Sequence, residues 1–159
     1  MTRVIIEPAD PDHPDARTLI GELAAELTRV TGRFTAASYT AQDAHGPRST
    51  FVIARQSDDT RRPLGCGAIR PLDAQHPHIG ELKRMYARPG THGVGHAILA
   101  HLELVAREFG YSEVWLETGD TNSRALEFYA RHGYLPIPCF GAYAGRADCT
   151  CLGKRLDVT

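Results

Sequence analysis

The chain has 159 residues, a formal net charge of −1 and 42% hydrophobic side chains, enough for one folded unit with its own core and too little basic excess to support a nucleic-acid partner. No apolar run approaches the length of a membrane span, and the opening MTRVIIEPADPDHPD has no signal-peptide core, so neither a membrane nor export is expected and the expected location is the cytoplasm. There Cys66, Cys139, Cys149 and Cys151 are expected as free thiols, and because Cys149-x-Cys151 lacks the paired CxxC spacing no metal is expected.

RVIIEP is a β-branched run closed by Pro8 and reads as a strand. HPDARTLIGELAAELTRVTG follows, with Leu19, Leu23, Leu27 and Val30 at helical spacing and Gly32 as its stop. TFVIARQ and LGCGAIRPL are strands joined through the polar turn SDDTRRP, so this pair reads as a hairpin. HIGELKRMYAR reads as a third strand of the same sheet, with helix as the competing reading. Behind the glycines of RPGTHGVGHAIL, Val94, Ala97, Ile98, His101, Leu102, Val105 and Phe109 share one helical face that ends at Gly110. SEVWLET is a strand, NSRALEFYARHG a helix running from an Asn cap to a Gly stop, and CTCLGKRL a last strand. This order predicts an α/β fold with a mixed sheet, in which the unit around residues 79–118 is a parallel crossover. No repeat or linker divides the chain, so residues 1–159 are expected to form one domain.

The glycine stretch has two readings. A helix start exposes unpaired N–H groups and partial positive charge, and glycine lets a phosphate approach closely. Alternatively, Gly93 and Gly95 only make a tight strand-to-helix turn. Neither GxGxxG nor GxxxxGK[ST] is present, which argues against a dinucleotide fold or an NTPase.

GELKRMYARPGTHGVGHAILAHLE, GYSEVWLETGDTNSRALEFYARHGY, FGAY and CLGKRL together resemble the GNAT superfamily of acetyl-CoA-dependent N-acetyltransferases, and in particular its small bacterial members. The resemblance runs from about Gly80 to Leu156 and is weak before it. It implies a twisted mixed sheet flanked by helices, with a splay between strands 4 and 5 that admits acetyl-CoA as cosubstrate. On that pattern the pantetheine arm pairs with the backbone of Met85, Tyr86 and Ala87, and the pyrophosphate rests on the amides of His92, Gly93, Val94, Gly95, His96 and Ala97. The chain departs from the pattern in one place. The Gln or Arg of the family's phosphate signature falls on Gly90, and the loop is shorter. Arg88, just upstream, is the substitute expected to bind phosphate oxygens.

The implied reaction needs a base for the amine, a donor for the oxyanion and an acid for the leaving thiolate. Glu81 matches the strand position of the glutamate base in histone-acetylating relatives; its structural alternative is an ion pair on the surface. Glu117, on the next strand, is the second candidate base. The amide around Met85 is the expected oxyanion donor. Tyr129 matches the family's general acid, although either it or Phe128 must also serve the core. Asn122 is expected to cap its helix and to touch the cofactor. The implied function is transfer of an acetyl group from acetyl-CoA to a primary amine of a small molecule or peptide, by direct attack in a ternary complex. A homodimer is one assembly the resemblance allows. The altered loop suggests an alternative, a non-catalytic or regulatory acyl-CoA-binding domain.

Overall fold

A computed structural model describes residues 3–156; the ends of the expected 1–159 unit, residues 1–2 and 157–159, lie outside them. The strands are β1 (Val4–Pro8), β2 (Thr50–Gln56), β3 (Pro63–Pro71), β4 (Ile79–Ala87), β5 (Glu113–Gly119), β6 (Leu135–Ile137) and β7 (Cys149–Arg155). The helices are α1 (Pro14–Thr31), α2 (Ala41–His45), α3 (Val94–Glu108) and α4 (Ser123–Arg131). The strands form one sheet in the order β1-β2-β3-β4-β5-β7-β6. Only β4 and β5 pair in parallel, across α3; every other neighbouring pair is antiparallel. The mixed sheet, its parallel crossover and the hairpin of β2 and β3 are as the sequence predicts, and HIGELKRMYAR is strand rather than helix. Among the described residues no helix is long and apolar enough to cross a membrane.

Both faces of the sheet are covered, which explains why β2 reads as a continuous apolar run rather than an alternating one. Phe51 and Ile53 pack with Ala16 and Leu19 of α1. Val52 and Ala54 face the other way, into the cluster with Val94, Ile98, Leu99 and Leu102 of α3. Each of the fully buried Val, Leu, Ile and Phe side chains among these stabilises the fold by roughly 1.5–3 kcal/mol. Gly32 stops α1 with φ 78°, the left-handed conformation glycine adopts without strain, and its N–H donates to Thr28 O.

The buried stripe of α3 differs from the expected one. Val94, Ile98 and Leu102 are buried as predicted, but so are Leu99, Glu103 and Ala106, whereas Val105 and Phe109 are only partly buried. Glu103 joins the buried side because Tyr134 and Lys154 bond its carboxylate there. Leu27 of α1 also leaves its expected core place and lines a cavity.

Candidate active site

The parallel ladder of β4 and β5 ends at Glu81 and Trp115. Beyond that rung the strands part, and the β5-facing edge of β4 from Leu82 to Ala87 has no strand beside it. A cavity of about 650 Å³ lies in the gap, walled by this part of β4, by Leu116–Gly119 of β5, by the start of α3 and by α4.

β4 carries a bulge at this point. Ala68 pairs with Lys83 and Cys66 with Tyr86, so Arg84 and Met85 together oppose Gly67. Arg84 has φ 56°, a left-handed conformation that costs a non-glycine residue roughly 1–2 kcal/mol. Its side chain offsets that cost. Nη2 donates to the carbonyls of Thr35 at 3.1 Å, Ala36 at 3.0 Å and Tyr39 at 3.3 Å, and the guanidinium lies 4.6 Å over the Phe34 ring. Gly67 is required opposite: a Cβ there would stand 2.6 Å from the Met85 sulfur. Met85, at the bulge, lies on the cavity wall.

Where α3 begins, Gly93 is its N-cap at φ 77° and supplies no capping side chain. The first-turn residues Val94, Gly95 and His96 line the cavity, and their amides carry the positive end of the helix. The Ala97 amide is already used, donating to Gly93 O at 3.0 Å. Neither Ala97 nor His92 is on the cavity wall, so the expected cradle contracts to Gly93 through His96. His132, which the sequence reading passed over, joins it. Its Nδ1 donates to Phe128 O at 2.7 Å, which leaves Nε2 to meet His96 Nδ1 at 2.9 Å. Asn122 caps α4, accepting from the Ala125 amide at 3.3 Å, and also lines the cavity.

The wall is basic although the chain is not. Glu26 and Glu117 are its only carboxylates among the described residues, against Lys83 and six arginines drawn from every side of the cleft. Such a lining suits a ligand with several phosphates.

Arg88 is placed differently from expectation. It lies on the wall, but its fork is spent on Glu22 of α1, with Nε to Oε1 at 2.9 Å and Nη2 to Oε2 at 2.7 Å, while Nη1 donates to Pro63 O at 3.0 Å. Tyr86 Oη donates to the same carboxylate. These bonds clamp the end of β4 to α1 and leave no bidentate face for a phosphate. The Arg88 hydrogen bond, working against burial, holds the Glu22 carboxyl below its ordinary 4.5. A depressed carboxyl contributes stability above its unfolded pKa and loses it as pH falls through the folded one. Arg88→Ala is accordingly expected to cost about 1 kcal/mol of stability at neutral pH, the scale of a partly exposed ion pair. In denaturant titrations the difference should shrink, as pH drops below the Glu22 pKa, to what the Pro63 bond contributes, with little change in acetyl-CoA affinity. A full loss of stability persisting in acid would contradict the assignment.

The two carboxylate candidates separate. Glu81 lies in the last paired rung, before the strands part, with its side chain 5% exposed and off the cavity wall. Arg70 grips its Oε1 with Nε at 3.2 Å and Nη2 at 3.1 Å, and also reaches Asp43 at 3.0 Å. Glu81 is thus a buried counter-ion rather than a free base in this arrangement. Glu117 lies one strand over and past the divergence, on the cavity wall. Arg33 takes its Oε2 at 2.6 Å and is itself held by Asp148 at 3.2 Å. The Glu117 Oε1 has no partner among the described residues.

Tyr129 and Phe128 divide their duties. Phe128 is partly buried and packs at the start of α3, 3.3 Å from where a Gly95 Cβ would stand. Tyr129 is 7% exposed, edge-on to Phe128 at 5.1 Å and to Tyr134 at 5.4 Å. Its hydroxyl makes no hydrogen bond to a described residue, and the side chain lines the cavity. Burial raises its pKa well above the ordinary 10, so the phenol remains a proton donor at neutral pH.

Lys83 and Tyr143 complete the wall. Lys83 Nζ donates to Tyr143 Oη at 3.0 Å. Burial lowers the Lys83 pKa; Glu81 opposes this and Arg70 and Arg84 add to it. Tyr143 is brought in by the loop between β6 and β7, a fold-back that no local pattern in FGAY signals.

Residues 19–134 match the model of the "Acetyltransferase (GNAT) family". An IAA acetyltransferase of Azospirillum brasilense is 32% identical over 132 residues, 77% of this chain and 80% of the relative. An amino-acid acetyltransferase of Mycobacterium tuberculosis is 35% identical over 110 residues, 68% of this chain, and the match spans 59% of that relative's length. Among solved structures, a Klebsiella pneumoniae chain described as an acyl-CoA N-acyltransferase superposes with a TM-score of 0.77 at 26% identity, covering 97% of this chain and 98% of that one. A GNAT family acetyltransferase of Elizabethkingia anophelis with acetyl-CoA bound shares the fold at a TM-score of 0.67 and 17% identity, covering 96% of this chain and 98% of that one.

Proposed function

The chain belongs to the acetyltransferase (GNAT) family, and from that premise we propose that its cleft acetylates a primary amine of a small molecule or peptide, with Tyr129 as the acid and Glu117 as the base. Acetyl-CoA, the family's acyl donor, supplies the thioester. The residues present fit it. The free edge of β4 at Met85, Tyr86 and Ala87 offers backbone groups to an extended arm, in the manner of an added strand. The uncapped amides of Val94, Gly95 and His96 suit the pyrophosphate.

In the transfer the amine nitrogen bonds the acetyl carbon and the carbon–sulfur bond breaks. Glu117, directly or through water, takes the proton that the amine loses. The Met85 amide donates to the carbonyl oxygen as negative charge gathers there. Tyr129 gives its phenolic proton to the sulfur and regains one from solvent. The observation that carries this reading is Tyr129, a buried side chain on the cavity wall whose hydroxyl has no hydrogen-bond partner among the described residues. A non-catalytic acyl-CoA-binding domain is not favoured by the family match.

A screen of primary amines against acetyl-CoA, followed by thiol release, tests the proposal. On the best amine, Glu117→Gln is expected to lower kcat/KM by about 100-fold, the lower end of general-base effects. Arg33 keeps Asp148 as a partner, so the fold should persist. Undiminished turnover would remove Glu117 from the base role. Thiol release with no amine of the screen, despite acetyl-CoA binding by calorimetry, would overturn the reaction itself.

A further inference from the structure

Lys83 is an ammonium with one polar partner. Among the described residues no carboxylate comes within ion-pair distance of Nζ. Glu81 pairs with Arg70 and the Oε2 of Glu117 with Arg33 instead. Lys83 is half-buried, and a charge partly withdrawn from water without a counter-ion is costly, so a ligand of opposite charge gains by pairing with it. The side chain opens on the cavity, two residues before Met85 on the strand whose free edge is the proposed acyl-donor site.

We propose that Lys83 and Tyr143 bind the carboxylate of the acceptor, which makes the acceptor an amino acid rather than a simple amine or the N-terminus of a peptide. This rests on the acetyltransferase reading above. The donor geometry supports it. Nζ donates to Tyr143 Oη, which leaves the phenolic O–H free to donate in turn. The ammonium keeps two further N–H groups. The pair therefore presents only donors toward the cavity, 3.0 Å apart, and two donors side by side match the two oxygens of one carboxylate. Arg84 adds positive charge to the same wall, but its guanidinium is committed to the Thr35, Ala36 and Tyr39 carbonyls. An amine tethered to a carboxylate seated there is held beside the bulge, where the oxyanion donor stands. A peptide N-terminus carries an amide at that position and leaves Lys83 unpaired, which discriminates against it.

The test uses the intact enzyme with acetyl-CoA and thiol-release kinetics. The substrates are a panel of L-amino acids, the primary amide of each, and the decarboxylated amine of each. For the best side chain, kcat/KM for the acid should exceed that for its amide by about 10- to 100-fold, the discrimination that hydrogen bonds to a charged group provide. In Lys83→Met, which keeps the length and packing of the side chain, the acid-to-amide ratio should collapse toward one, chiefly through a raised KM for the acid. Tyr143→Phe should lower the ratio less. Thermal unfolding of both variants establishes that they fold. A wild-type enzyme that prefers amides or simple amines overturns the inference and leaves the acetyltransferase reading intact. So does a Lys83→Met variant that keeps the preference, or one that loses turnover on acid and amide alike, which would make Lys83 a proton-transfer group. Absence of thiol release with every compound overturns both.

Discussion

Tyr129→Phe is expected to lower kcat on the best amine by about 100-fold or more, the range of general-acid contributions, while acetyl-CoA affinity measured by calorimetry stays close to wild type. The phenol acts on charge that develops only as the thiolate leaves, so its loss belongs to the transition state and not to ground-state binding. Structure makes the variant a clean one. Phe keeps the edge contacts to Phe128 at 5.1 Å and Tyr134 at 5.4 Å. Removing a hydroxyl that bonds no described residue orphans no buried partner, so stability should hold. A variant that matches wild-type turnover would take Tyr129 out of the acid role. One that loses acetyl-CoA affinity and turnover equally would make the hydroxyl a binding group.

Glu103→Ala should give the largest loss of stability, about 3 kcal/mol by the scale of a broken buried ion pair. Glu103 is 8% exposed on α3. Its carboxylate accepts from Tyr134 Oη at 2.8 Å and from Lys154 Nζ at 3.0 Å and 3.2 Å. Truncation strands a buried phenol and an ammonium on β7. For a chain of this size the loss corresponds to a fall in Tm of roughly 6–12 °C. Glu103→Gln, which still accepts from Tyr134, should lose about half as much. The brace also matters to the cleft. The two halves of the sheet share only the short rung from Ile79 to Glu81, and α3, tied to β7 through Glu103, helps to hold them at their wedge. A Glu103→Ala variant within 0.5 kcal/mol of wild type, the range of neutral surface substitutions, would show that the brace is idle.

Most elements were legible because their signals are local. A β-branched run marked β1, the polar turn between two apolar runs marked β2 and β3, and helical spacing with Gly32 and the Asn122 cap marked α1 and α4, while β4 read as a strand against a competing helix. The elements that escaped are short. α2 has five residues and β6 has three with Pro136 in the middle, below the length at which periodicity speaks and with a residue that disfavours strand.

Within the site, the sequence by itself indicated what is carried along the backbone: β4 as a strand, against helix as the competing reading, a glycine turn before α3, Asn122 as a cap and Tyr129 on its helix. Each depends on residues within a turn or two of one another. Which side chains remain free was decided only by tertiary structure. Arg88 is consumed by Glu22, 66 positions away, and Glu81 by Arg70, across a strand pair. Lys83 meets Tyr143 from a loop 60 positions on, and Glu103 is buried because Tyr134 and Lys154 come to it. A charged side chain reads alike in sequence whether it is a counter-ion or a reagent. The difference lies in burial and in the partner across the fold, since a charge removed from water must be matched by another group, and that group is chosen by packing between segments far apart in the chain.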